Sequence, residues 1–451
     1  MKKTANVIML LLLTAVSARA AALSLFPLPE PECLNPSSQQ FTMPFINQGY
    51  HTRVSWHLSA HKVPQAWKYS TGKNITVGVI DTGVMSEQDV FWQLFSTGLS
   101  SNRTFAAEKP PVETDVLKLP WHGTSVASVL AAPVTHTDTI AGVAYNANLI
   151  AYAVHDDPVI AHVGKFSAKL KKMADNPKVK IINISMGKAV ADSALKSAIA
   201  YALGKGKLIF ASAGVTKNLV IYPGNYDDMY GLFTVTGVEY RESDPRGKNL
   251  RIAKSPLFTN SYGSAVDFVA YVSRPSDGAG ALTLHPSEAC VSNGKGSSMA
   301  APTIAGIAAL VWSANPSLTR TEVVNILKKS SSLYPSKSDS FGYGIVDAEK
   351  ALTLATAPVA KFVPFVFGGS VRLDAHESYD VDGGAIKKYH WDFGDGTPVY
   401  SDVLSSMMHY YSRSGVYSVK LTVTDDEGVM SKSNTQIVRI CSPNGGPCPA
   451  M

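Results

Sequence analysis

Cysteine is scarce, with four in 451 residues. That is too few to staple a chain of this size, so a disulfide scaffold is excluded and stability must come from buried apolar surface. A membrane-spanning leader is not expected either, because the first apolar run, residues 7–16, is about half of the ~20 residues that a bilayer requires. Charge of either sign is modest: Lys and Arg number 41 and Asp and Glu 35, a formal balance of +6. Three of those positive charges, Lys2, Lys3 and Arg19, lie in a segment expected to be removed. Nothing in that balance points to nucleic acid. What the chain has in quantity is hydrophobic residues, 45%, enough for a large core and for two or three domains.

The first 20 residues read as a secretory signal. Lys2 and Lys3 precede the apolar run, and Ala18-Arg19-Ala20 is a small-x-small cleavage site with no cysteine after it to take a lipid. A soluble mature protein starting near Ala21 is expected, without stable membrane insertion. Export makes disulfides available to Cys33, Cys290, Cys441 and Cys448, with three possible connectivities. The turn-forming residues 442–447 favour Cys441 with Cys448, which leaves Cys33 with Cys290. Residues 21–70 are weakly patterned, with Trp56 and Trp67 as anchors. His57 and His61 in this stretch read as surface or capping residues, not ligands.

Three stretches carry chemistry. Ile75-Thr76-Val77-Gly78-Val79-Ile80 is a β-branched run expected as a parallel strand buried on both faces, and it ends in Asp81-Thr82-Gly83, where open α/β sheets place their sites. Trp121-His122-Gly123-Thr124-Ser125 opens a small-residue helix, with His122 at its start, exposed enough to exchange protons. Gly296-Ser297-Ser298-Met299-Ala300-Ala301-Pro302 is a turn running into a buried helix. Ser298 is thereby set at a helix N-terminus, where free N–H groups and the helix dipole favour a developing oxyanion.

In this order the three motifs resemble those of the subtilisin-like serine peptidases, over roughly residues 50–355. The resemblance implies an α/β fold with a mostly parallel sheet flanked by helices. It also implies that Ser298 attacks the carbonyl, His122 carries the proton and Asp81 orients the imidazole. Such chemistry needs no metal and no cofactor. A structural calcium ion stays open. Ile181-Ile182-Asn183-Ile184-Ser185-Met186-Gly187 is similar to the family's cleft strand, on which a polypeptide would lie extended, with Ser185, Met186 and Gly187 against it. Ala211-Ser212-Ala213-Gly214 is similar to the opposite wall of the first specificity pocket. Small residues at Ala213 and Gly214 are expected to leave that pocket open. After them the family has an oxyanion-donating Asn, but this chain has Val215. The Ser298 backbone N–H remains as a donor, and Asn218 is a candidate for a second.

Two helices are expected to close this domain, the Ser298 helix stopped at Asn315-Pro316 and the next opened by the capping box Thr319-Arg320-Thr321-Glu322. From about residue 360 short strands alternate with Asp-Gly turns. Ser378-Tyr379-Asp380-Val381-Asp382-Gly383-Gly384, the stretch Trp391 to Gly396 and His409-Tyr410-Tyr411 resemble a PKD domain, which implies an immunoglobulin-like β-sandwich. Trp391 and Asp395 read as fold-keeping. Asp380 and Asp382 read as a solvated turn in preference to a cation site.

The expected division is a signal peptide (1–20), an irregular lead-in (21–50), a subtilisin-like domain (51–355), a linker (356–362), a PKD-like sandwich (363–440) and a Cys-containing tail (441–451). A secreted or periplasmic serine endopeptidase follows, acting on polypeptides. The sandwich is expected to act as a spacer or to bind protein or polysaccharide weakly. The alternative is a secreted binding or inhibitory protein on an inactive peptidase fold, to which Val215 points.

Overall fold

The computed structural model describes residues 55–84, 105–107, 120–133, 140–154, 162–226, 228–255, 258–276, 279–284, 291–381 and 383–441. The signal peptide, the lead-in to residue 50, Cys33, Cys290, Cys448 and Asp382 lie outside these residues. Cys441 is disulfide-bonded.

From residue 55 the stretch before the first strand forms two short helices, α1 (Trp56–Ala60) and α2 (Val63–Ala66). The expected anchors hold it: Trp56 Nε1 donates to Gly280 O at 2.7 Å and Trp67 Nε1 to Val143 O at 2.8 Å. His57 and His61 depart from the expectation, since both are buried. His61 Nδ1 donates to Val346 O at 2.8 Å while its Nε2 accepts the Tyr271 N–H at 3.1 Å, which ties the start of the domain to its end. Burial keeps both rings neutral, pushing His57 down to about 3, with His61 nearby adding to the shift, and His61 down to about 4. An unfolded chain takes up protons on these rings below about pH 6.5, and the folded one does not until its lower values are reached. Stability is therefore expected to fall as pH drops from about 6.5 towards 4, on the order of 3 kcal/mol per ring. Urea unfolding at pH 7 and at pH 4.5, on the parent and on a His57→Gln/His61→Gln variant, checks this. The variant should show the shallower pH dependence.

The β-branched run forms β1 (Thr76–Asp81), every residue of it buried. It lies between β3 (Asn148–Ala153) and β4 (Val179–Ile184), parallel to both. Beyond β3 lies β2 (Phe105–Ala107). Beyond β4 follow β5 (Leu208–Ser212), β6 (Leu232–Glu239) and β7 (Val266–Arg274), all parallel, then the antiparallel β8 (Ala279–Leu284) and β9 (Val291–Gly294). The order β2-β3-β1-β4-β5-β6-β7-β8-β9 puts β1 and β4 side by side in the interior of the sheet.

Side chains alternate along each strand, so both faces of the sheet are apolar and both need a cover. One face is covered by α3 (Pro120–Ala131) and α6 (Ser297–Ala314): Val126, Leu130, Ile304 and Val311 pack with Val77, Val79 and Phe210. The other is covered by α4 (Val163–Asp175) and α5 (Ser193–Gly204), whose Phe166, Leu170 and Ile199 pack with Ile80, Ile182 and Ile209. Gly78 permits the close approach of α4, since a Cβ there would meet Met173 Sδ at 2.6 Å. Buried on nearly every side, α6 has the length and apolarity of a membrane span, but it is the core helix between these layers. The expected pair that closes the domain is α6, ending at Ala314, and α7 (Arg320–Ser330), capped by Thr319 with Glu322; a further helix, α8 (Ala348–Thr356), is capped by Asp347.

The C-terminal strands form two antiparallel sheets. One holds β10 (Val363–Phe367), β11 (Ser370–Asp374) and β14 (Ser406–Tyr410). The other holds β13 (Tyr400–Asp402), β12 (Ile386–Asp392), β15 (Gly415–Asp425) and β16 (Asn434–Ile440). Trp391 is fully buried in the core of this part, with Phe362 edge-on at 5.1 Å. Asp395 accepts from His409 Nε2 at 2.8 Å, and the His409 ring stacks on Phe393 at 3.7 Å. The reading of Asp380 as part of a solvated turn is corrected: its side chain is buried.

Candidate active site

Asp81 stands at the carboxyl end of β1 and His122 in the first turn of α3; both are buried, which for His122 departs from the expected exposure. His122 Nδ1 lies 2.7 Å from Asp81 Oδ1, which also accepts the Thr82 N–H at 2.8 Å. The motif glycines make this approach possible. A Cβ on Gly123 would sit 2.1 Å from Gly83 O, and Gly83 itself has φ +103°. The Gly123 N–H donates to Thr82 Oγ1 at 3.0 Å, which closes strand end and helix start onto each other. With the carboxylate accepting at Nδ1, the proton sits there and Nε2 is the basic nitrogen.

Ser298 is the second residue of α6, after the N-cap Gly296, and is half-buried. At that position its N–H has no partner within the helix. Its Oγ donates to Ser185 O at 3.2 Å, while Ser185 Oγ donates to Ser298 O at 2.8 Å and accepts from Asn183 Nδ2 at 3.0 Å. Ser185 directly follows β4, and Ile184 of β4 is paired with Ile80, the neighbour of Asp81. The ends of β1 and β4 and the starts of α3 and α6 thus converge on one rim of the sheet. Ser297 fixes the other side: its Oγ donates to Gly214 O at 2.9 Å and accepts the Gly214 N–H at 3.0 Å.

A subtilase family model matches residues 72–344, more than half of the chain, and a PKD domain model matches residues 356–440. The chain belongs to the subtilase family. It is thus one of the subtilisin-like serine endopeptidases, carrying a C-terminal PKD domain. Among similar proteins, subtilisin DY of Bacillus licheniformis is 29% identical over 303 residues, covering 65% of this chain and 96% of that protein. Subtilisin Savinase of Lederbergia lenta is 27% identical over 300 residues, 66% of this chain and 98% of that protein. An extracellular protease of Xanthomonas campestris pv. campestris is 27% identical over 331 residues, 64% of this chain, and the match spans only 53% of that protein's length. A solved protease structure from Pseudoalteromonas arctica matches 65% of this chain and 94% of its own at 25% identity, with a TM-score of 0.48.

In this subtilase a third residue narrows the space between the walls expected to leave a pocket open. Ile221, which no sequence pattern singled out, packs between them. Its Cδ1 lies 2.4 Å from where a Cβ on Gly187 would be, and its Cγ2 3.0 Å from that of Gly214. The Ile221 N–H donates to Ala213 O at 2.9 Å, and its neighbour Tyr222 exchanges two 2.9 Å backbone hydrogen bonds with Lys188. The glycines that looked like an empty pocket make room for this side chain.

Val215 is half-buried, its Cγ1 3.6 Å from the Cβ position of Gly296. It therefore lies beside the turn that presents Ser298, where a donor would be useful and an isopropyl group offers none. Asn218 is exposed, in a tight turn in which Thr216 Oγ1 donates to Leu219 O at 2.8 Å. The Met186 side chain is buried in the apolar layer that holds Ile184 and Leu195.

Proposed function

We propose that this subtilase is a secreted endopeptidase that cleaves polypeptides through Asp81, His122 and Ser298 by way of an acyl-enzyme, with no cofactor. The buried 2.7 Å contact between Asp81 and His122, at the rim that also holds Ser298, carries the reading. With Nδ1 protonated towards the carboxylate, Nε2 takes the Ser298 proton as Oγ bonds to the peptide carbon, and returns it to the leaving amine. Water then attacks the acyl group with His122 again as base. The oxyanion meets the Ser298 N–H and the N-terminus of α6. A substrate would lie extended along residues 185–187 and 213–214. Export of the chain rests on the leader-like residues 1–20. The PKD domain serves as a spacer or a weak binding module.

Labelling by a fluorophosphonate probe that forms a bond to an activated serine tests the assignment. The parent should label and Ser298→Ala should not. Val215 favours a second reading, a binding protein on a weakened catalytic frame. An unlabelled parent with a labelled Val215→Asn variant would support it.

Ile221 sets the substrate class within this reading. A pocket floored by a branched side chain takes Gly, Ala or Ser before the scissile bond and rejects Phe or Leu. Ile221→Gly is expected to raise kcat/KM for a Phe-containing peptide about 10–100-fold relative to its Ala counterpart. Paired chromogenic peptides differing only at that residue measure it. An unchanged ratio would remove Ile221 from specificity.

A further inference from the structure

The positive charge of this chain is concentrated. Residues 162–207 contain ten lysines and no arginine, against two aspartates and no glutamate. The whole chain has 41 basic and 35 acidic residues, so this stretch accounts for all of the net positive charge and the remainder is slightly acidic. Removal of Lys2, Lys3 and Arg19 with a leader would sharpen the contrast.

The fold turns this composition into a surface. Phe166, Leu170 and Met173 of α4 point inward at helical spacing, which leaves Lys165, Lys171 and Lys172 in solvent. Lys178, just after the helix, is exposed as well. Two tyrosines draw ammonium groups together without neutralising them. Lys169 and Lys172 lie 5.5 and 4.9 Å from the Tyr152 ring centre, and Lys171 and Lys205 lie 5.8 and 5.2 Å from that of Tyr201. Lys205 has Asp175 at 3.3 Å, but Lys165, Lys171, Lys172 and Lys178 have no ion pair among the described residues. This layer covers the sheet face opposite α3 and α6, so an occupant would leave the catalytic rim open.

We propose that the lysine face of α4 and its flanks is a docking surface for an acidic polysaccharide. Lysine without arginine supplies mobile point charges, suited to a repeating, hydrated polyanion and not to forked recognition of a single carboxylate or phosphate. A membrane is the weaker match, because the exposed residues on α4 are lysines, Gly164, Ala168 and Asp175, with no large apolar side chain to enter a bilayer. The attraction is long-ranged at low salt and screened at high salt. A protease held this way would be concentrated on a glycan-rich matrix with its cleft facing outward. Catalysis is not required for this binding.

Binding of the full-length protein to immobilised heparin, a sulfated and carboxylated polysaccharide, tests it across a salt series. Affinity should fall steeply with salt, and Lys165→Gln/Lys171→Gln/Lys172→Gln should weaken it about tenfold or more at low salt. Lys350→Gln/Lys387→Gln/Lys388→Gln, the same loss of charge elsewhere, should leave it nearly unchanged. Circular dichroism and fluorophosphonate labelling should match the parent in both. Equal weakening by the two triples would reduce the effect to bulk charge and overturn the proposal. So would absence of heparin binding, or binding to phosphatidylglycerol vesicles without it, the last pointing to a membrane.

Discussion

Ser298→Ala is expected to lower turnover about 10⁴-fold or more, with substrate affinity and folding stability nearly unchanged. The substitution removes one oxygen from a half-buried position, and with it the 3.2 Å donation to Ser185 O. Ser185 keeps its bonds to Asn183 and to the Ser298 carbonyl, and the Asp81–His122 pair keeps its geometry. In the proposed mechanism the chemistry, by contrast, loses the atom that bonds to the substrate. Adding His122→Ala should then cost little more, because a base with no nucleophile to deprotonate contributes nothing. The scale and the non-additivity are those known for subtilisin, a relative. Active-site-titrated kinetics on a peptide, with thermal melts alongside, provide the check. Costs that added independently would show that Ser298 and His122 do not act as one unit.

Val215→Asn is expected to raise kcat about 10²-fold with little change in KM. Gly214 is fixed by its two hydrogen bonds to Ser297, at 2.9 and 3.0 Å, so the backbone entering position 215 is already held against the start of α6. What is missing is a side-chain donor. An amide there would bond to the oxygen once it carries charge and only weakly to the ground-state carbonyl, so the gain belongs to kcat. The magnitude is again the one known for subtilisin when its donor is removed. Single-turnover acylation rates of the parent and the variant measure it directly. No gain, coupled with a loss in Asn218→Ala, would put the working donor in the exposed turn instead.

Much of the site was legible along the chain because each motif is local. Asp81 at a strand end, His122 at a helix start and Ser298 in a turn before a helix follow from β-branched runs, small residues and one tolerated proline. The close approach of Gly123 to Gly83 O is the physical content of the glycines in those motifs. Only the tertiary structure decided what fills the space between stretches far apart in sequence. The wall residues around Gly187 and Gly214 read as an empty pocket because small residues leave room, and sequence does not say for whom. Ile221 takes that room. In the same way His57 and His61 looked solvent-facing for lack of a partner motif, whereas the partner of His61 is backbone, at Val346 and Tyr271, which no side-chain pattern announces. The lysines of residues 162–207 were visible as letters, but the inward apolar stripe of α4 gathers them on one face. Local chemistry was set by the sequence, and occupancy and surface were set by packing, because burial is a property of neighbours brought from elsewhere in the chain.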